Sequence, residues 1–146
     1  MCGIIGWCNF NKQPNKEILN NLSIFLQSRG PDNHGEFSNQ NLALVHKRLS
    51  IIDLSEESNQ PMVDIKTGNA LVFNGEIYNF LDLKKEIIEL TSNKNIFKSK
   101  GDSEVILIGY KIFGFEKLLS KLEGMFAFAI WDESKKSLYL ARDRLG

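Results

Sequence analysis

Cysteine and histidine are scarce in this chain, with two of each in 146 residues, and that scarcity removes several chemistries. Cys2 and Cys8 make no disulfide framework, and their spacing of six fits no common zinc pattern. On one strand they would share a face yet lie too far apart to bridge. His34 and His46 are the only imidazoles, and neither has a helix-spaced partner, so no metal site is expected. Charge of one sign is missing too: 18 Lys and Arg balance 18 Asp and Glu, which gives no electrostatic reason to expect nucleic acid or an anionic membrane surface. No run approaches the ~18 apolar residues of a membrane span. The N-terminus has neither the basic flank nor the apolar core of a signal peptide, so a cytoplasmic protein with reduced thiols is expected. No internal repeat or low-complexity linker appears, and the length suits one domain, residues 1–146, with a single sizeable core.

What is present alternates strands with helices. Residues 2–10 have strand character and carry Gly3 and Gly6, which suggests a tight packing contact or a close approach by backbone or ligand. From about Asn15 to Gln27, Ile18, Leu19, Leu22, Phe25 and Leu26 recur at helical spacing and are expected to form a core-facing stripe. Arg29 to Gly35 breaks regular structure with Gly-Pro and Asx turn chemistry. Strand character resumes over Leu42–Ile52. A polar connection from Asp53 to Pro61 leads to a hairpin, Met62–Ile65 with Ala70–Asn74, around Lys66-Thr67-Gly68-Asn69. A helix after Asn79, which could cap it with Asp82 as the box acid, buries Leu83, Ile87 and Leu90 and leaves Lys84, Lys85, Glu86 and Glu89 in solvent. Val105–Phe113 and Phe115–Leu122 are further helices. Met125–Asp132 is almost continuously apolar, as in a strand buried on both faces. Glu133–Lys136 turns the chain into a partner strand, Ser137–Asp143. This order is α+β, with antiparallel sheets covered by helices.

Four places carry chemistry, each with two readings. Cys2 becomes the first residue once Met1 is removed, and its small side chain permits that removal. A thiol with pKa ~8.5 is mostly protonated at neutral pH, whereas an α-amine at ~7.7–8.0 can accept its proton. One residue then supplies nucleophile and base; otherwise Cys2 and Cys8 are small buried apolar residues. Arg48 is either an exposed-face residue with its stem on apolar neighbours or a planar clamp for a carboxylate. Asn74-Gly75 is either a simple turn or a pair of donors, amide and backbone N–H, converging on an oxyanion. Asp102, or Ser103 beside it, is either a helix N-cap or part of a ligand site.

Seven stretches recur in the order of one family: Cys2-Gly3-Ile4, Arg29-Gly30-Pro31-Asp32, His46 through Ile51, Gln60-Pro61-Met62, Phe73 through Asn79, Gly124 through Asp132, and Ala141-Arg142-Asp143-Arg144. Together they resemble the class II glutamine amidotransferase domain of glutamine-hydrolysing asparagine synthetase, from the first residue to the last. The resemblance implies an N-terminal-nucleophile hydrolase fold, a four-layer αββα sandwich of two antiparallel sheets between helices. It implies that Cys2 attacks the side-chain amide of L-glutamine, with Asn74 and the Gly75 N–H on the oxyanion. It assigns Arg48 to the α-carboxylate, Glu76 and Asp102 to the α-ammonium, and the pocket lining to Leu49, Ser50, Ile51 and Ile52. No cofactor is implied in this domain. ATP and magnesium belong to the family's C-terminal synthetase domain, the expected partner, whose glycine-rich loop has no counterpart here. The chain is thus expected to lack its ammonia acceptor and, alone, to make no asparagine. An amidotransferase half for another acceptor, such as a sugar phosphate, a hydrolase of another amide, and an unprocessed glutamine-binding module remain alternatives. A homo-oligomer stays open.

Overall fold

A computed structural model describes residues 2–146; the removal of Met1 expected from the sequence lies outside the described residues. The elements are β1 (Gly3–Cys8), α1 (Lys16–Ile24), β2 (Asn33–Ser38), β3 (Leu42–Arg48), β4 (Met62–Val63), β5 (Ala70–Ile77), α2 (Phe80–Thr91), α3 (Ser103–Phe113), α4 (Phe115–Lys121), β6 (Gly124–Asp132) and β7 (Ser137–Arg142), with one 3-10 turn at Glu56–Ser58. Two antiparallel sheets form, in the strand orders β1-β3-β2 and β4-β5-β6-β7.

Strand alternation builds the layers. Along β3, Leu42 and Leu44 point between the sheets, where they meet Ala70, Val72, Ala129 and Trp131. Ala43 and Val45 point the other way, onto Leu19 of α1. Leu71, Phe73, Ile77, Phe126, Phe128 and Ile130 leave the opposite face of the second sheet and pack on Leu83, Ile87, Val105, Ile106 and Leu118 of the three remaining helices. The order is helix, sheet, sheet, helices: the αββα sandwich. β6 is buried on both faces over its central and final residues, as its unbroken apolar run requires.

Local expectations fail at identifiable points. The α1 stripe is mostly not core: Leu19 is buried and Leu26 half-buried, but Ile18, Leu22 and Phe25 are exposed, Phe25 by 81%. A three-stranded sheet offers α1 only the small patch around Ala43 and Val45, so one leucine, worth roughly 2 kcal/mol of burial, carries most of that contact. Leu26 instead lies over Gly3, where a Cβ would stand 2.9 Å from the leucine side chain; the glycine serves packing. Asn33–Gly35, read as loop, starts β2, an edge strand with Phe37 as its one large apolar residue. β3 stops at Arg48, leaving 49–52 as loop. Asn74-Gly75 does not turn but continues β5 to Ile77. Asn79 makes no side-chain cap. Its Nδ2 donates to Lys121 O at 2.8 Å and its Oδ1 accepts from Glu123 N–H at 3.1 Å, tying the start of α2 to the end of α4. Leu90 is exposed. Cys8 is exposed rather than buried.

Candidate active site

The end of the sandwich at which β3 and β5 run out holds a cleft of about 710 Å³, counted out to its mouth. Cys2, Arg48, Leu49, Ile51, Ile52, Asn74, Gly75, Glu76 and Asp102 line it, together with Asp53, Gln60, Phe73 and Met125. Pairing Gly3 with Lys47 delivers Cys2 to the loop that follows β3. There the Leu49 N–H points at Cys2 Sγ at 3.4 Å, and Sγ lies 3.7 Å from Leu49 O. Arg29 Nε donates to Cys2 O at 3.1 Å, fixing the peptide next to the thiol. Ser50 is the one sequence-predicted residue that does not line the cleft; its N–H is engaged by Asp32 Oδ2 at 2.7 Å.

β4 is only two residues long and pairs with Leu71 and Ala70, so β5 has a free edge beyond them. In an antiparallel strand the N–H and C=O of one residue face the same side, and alternate residues share that side. Phe126, opposite Gly75, directs both of its backbone groups to Asp143, its N–H to Asp143 Oδ2 and its O to Asp143 N–H. The Gly75 N–H therefore faces away from β6, along the free edge, in line with those of Phe73 and Ile77. Phe73 N–H donates to Gln60 Oε1 at 2.6 Å, and Ile77 N–H to Asp102 Oδ2 at 2.9 Å. Between these two the Gly75 donor is without a protein partner among the described residues and opens on the cleft. No side chain fits at position 75, because a Cβ would lie 2.2 Å from Met125 O. Asn74 lines the cleft beside it, with its Oδ1 enclosed and unpaired among the described residues.

The cleft is acidic at the other end. Asp102 is buried, and its carboxyl pKa is raised by burial, with the nearby Glu76 charge adding to this against the opposing backbone bonds. It starts α3 without capping it; one oxygen is taken by Ile77, leaving the other. Glu76 makes no side-chain hydrogen bond among the described residues. Arg48 is buried, and its Nη1 donates to Ser55 O at 2.9 Å and Asn59 Oδ1 at 2.7 Å while Nη2 donates to Asp53 O. A guanidinium has five donors, so two remain. The exposed-face reading of Arg48 is excluded, and the residue moulds the 53–59 loop.

Residues outside the sequence reading shape this wall. Asp53 accepts from Ser55 N–H, Ser58 Oγ and Lys100 N–H at 2.8–2.9 Å. Burial would raise its pKa, but these bonds together hold it well below the carboxylate range. Glu104 accepts from Lys98 and Ser99 N–H. Lys84, expected in solvent, is half-buried behind the wall; its Nζ donates to Ser99 O at 2.9 Å and lies 5.5 Å and 5.1 Å from the ring centres of Phe80 and Phe97. Burial lowers its pKa, partly offset by Glu104, Asp53 and Asp102. Gln60 and Arg29 stood within recognisable motifs; nothing in the spacing marked Asp53 or Lys84.

A family model described as a glutamine amidotransferase domain matches residues 1–146. The chain belongs to that family. Among curated amidotransferase relatives, asparagine synthetase [glutamine-hydrolyzing] 3 of Bacillus subtilis is 39% identical over 150 residues, covering all of this chain and 24% of that protein. Asparagine synthetase B [glutamine-hydrolyzing] of Escherichia coli is 37% identical over 149 residues, again covering all of this chain and 26% of that protein. The chain thus spans about a quarter of the length of these relatives. A solved structure, the glutamine phosphoribosylpyrophosphate amidotransferase of B. subtilis complexed with ADP and GMP, superposes with a TM-score of 0.55 at 19% identity, over 97% of this chain and 30% of that one. At that identity it speaks for the fold alone, the sandwich of two antiparallel sheets between helices. Among the described residues, no group of three His, Cys, Asp or Glu is placed to hold a metal ion, and no helix is long and apolar enough to cross a membrane.

Proposed function

We propose that this amidotransferase domain hydrolyses L-glutamine to glutamate and ammonia through a γ-glutamyl thioester on Cys2. The observation that carries the reading is the pairing, in one cleft, of the Cys2 thiol with the unengaged N–H of Gly75. With Met1 removed, the α-amine of Cys2 takes the thiol proton and sulfur attacks the amide carbon. The carbonyl oxygen becomes an oxyanion, received by the Gly75 N–H and the Asn74 amide. Collapse expels ammonia, which leaves with the proton returned by the α-ammonium. Water, deprotonated by the same amine, then cleaves the thioester and releases glutamate. The free donors of Arg48 suit an α-carboxylate, and Glu76 with the second oxygen of Asp102 suits an α-ammonium. A zwitterion with both groups answers the separation of charge in the cleft, whereas a plain amide answers neither end. Leu49, Ile51 and Ile52 of the loop after β3 complete the lining.

The relatives' names point the ammonia toward asparagine formation, and the family resemblance puts ATP and magnesium in a C-terminal synthetase domain and no cofactor in this one. The setting is cytoplasmic. Intact-mass analysis with and without the electrophile 6-diazo-5-oxo-norleucine tests the reading. One adduct on Cys2, in protein lacking Met1, and loss of hydrolysis in folded Cys2→Ala support it. Glutamine turnover persisting in Cys2→Ala would sink it.

A further inference from the structure

We infer that Gln60 and His46 clamp the Phe73 backbone, one on its N–H and one on its C=O, and so position the Asn74–Gly75 donor pair. This rests on the proposed glutaminase reading and extends it to two residues that touch no reacting atom. Beyond Leu71 the short β4 no longer pairs with β5, so the Phe73 N–H and C=O, which face that edge, have no strand partner. Side chains replace the missing strand. Gln60 Oε1 accepts from Phe73 N–H at 2.6 Å, and His46 Nε2 lies 3.1 Å from Phe73 O. That contact to a carbonyl requires the proton on Nε2. Gln60 and His46 are buried, His46 completely, and come from two different parts of the chain, the 53–61 connection and the facing sheet. The peptide units they grip flank Phe73, and the second joins it to Asn74.

Gln60, together with Asp102, explains why a single donor is left open. Three N–H groups line the edge of β5, at Phe73, Gly75 and Ile77. Gln60 closes the first and Asp102 the third, and only the middle one can receive a ligand. Without Gln60 the Phe73 N–H becomes a second open donor beside the first, and the Phe73 backbone is held through its carbonyl alone. An oxyanion hole depends on donors fixed before the charge develops, and a displacement of the order of an ångström costs up to ~10²-fold. The clamp therefore acts on turnover, not on affinity for the ground-state amide.

Gln60→Met removes the acceptor at similar volume, and Gln60→Glu retains an acceptor oxygen at the same reach. Two readouts apply to the processed protein. The first is amide hydrogen exchange by NMR: in Gln60→Met, Phe73 exchange accelerates at least about tenfold, while Val72, whose groups face β6, keeps its protection. The second is steady-state glutamine hydrolysis: kcat of Gln60→Met falls about ten- to a hundredfold with KM within about twofold, and Gln60→Glu recovers most of it. Unchanged Phe73 exchange in Gln60→Met overturns the clamp. So does accelerated exchange with unaltered kcat, or a rise in KM alone, which would make Gln60 a substrate contact. Loss of protection at Val72 as well would mark general loosening of the sheet and also overturns it. A wild-type protein inert toward glutamine would reject the hydrolase reading, while the exchange arm would still decide whether Gln60 holds Phe73.

Discussion

His46 makes the stability of this fold depend on pH in a range where few other groups titrate. It lies between the sheets with no exposed surface, Nδ1 unpaired among the described residues and Nε2 on Phe73 O. Its pKa is lowered from 6.5 to about 4, chiefly by burial; the bond to the Phe73 carbonyl opposes the shift and the charge of Arg48 adds to it. Between those two values the unfolded chain binds a proton that the folded chain refuses. The stability contributed by neutral His46 is therefore complete above about pH 6.5 and is lost as the pH falls toward 4. At about 1.4 kcal/mol per pH unit the full loss is about 3 kcal/mol, of which about 2 kcal/mol is gone by pH 5. Asp102, with its raised pKa, acts in the opposite sense: the folded form holds its proton more readily and gains stability on acidification, so Asp102→Asn provides a background free of it. Asp53 and Asp132, held low by their hydrogen bonds, lose their contributions only in more acid solution, below the ordinary carboxylate value of 3.8. Urea unfolding at pH 7, 6 and 5 measures the slope, followed through the fluorescence of Trp131, which is fully enclosed. His46→Gln keeps an amide donor for Phe73 O but cannot titrate, and should flatten the curve. A wild-type stability unchanged from pH 7 to 5, or an equal slope in His46→Gln, would refute the reasoning.

Two further outcomes follow from the cleft. Asn74→Ala removes one of two oxyanion donors and should lower kcat for glutamine by ~10²–10³, with little change in melting temperature, since only one side of the residue is enclosed; a loss below threefold would argue against that role. Asp102→Asn keeps an acceptor for the Ile77 N–H but removes a charge, so the fold should persist while KM for glutamine rises about tenfold, the scale of one charge-assisted hydrogen bond; unchanged KM in a kinetic comparison would detach Asp102 from the ammonium end.

Sequence patterns disclosed elements where burial was uniform and misled where it was not. The apolar run from Met125 to Trp131 pointed to a strand enclosed on both faces, and the sheet places it in the interior of the second layer, enclosed from Phe128 to Asp132 while Met125 and Ala127 stay exposed. The α1 periodicity was equally regular, yet periodicity reports that one face is apolar and not what lies against it. Three strands cover too little of that face. Asn-Gly favours a turn locally, but pairing of Phe73 with Phe128 and Ile77 with Gly124 on either side keeps it extended. Residue types at the site were legible through the family resemblance. Their supports were not, because Arg29 on Cys2, Gln60 on Phe73 and Lys84 on Ser99 are contacts across 27, 13 and 15 residues that no local rule encodes.

The brevity of β4 is what makes chemistry possible here. A strand begun four residues earlier would reach Phe73 and Gly75 in the same register and close the donor row with ladder hydrogen bonds. That arrangement would be the more ordinary one, because an enclosed and unpaired backbone group costs free energy comparable to a lost hydrogen bond. Starting β4 only at Met62 leaves three N–H groups of β5 to be satisfied otherwise. Two are closed by side chains that reach in from Gln60 and Asp102, and the third stands at the cleft, where solvent can satisfy it until a ligand does. Gly75 must be the open one. It alone lacks a side chain, it lies between the two fixed peptides, and its approach to Met125 O excludes any larger residue. The result is a rigid edge with a single vacancy, beside a thiol that β1 delivers through its pairing with β3.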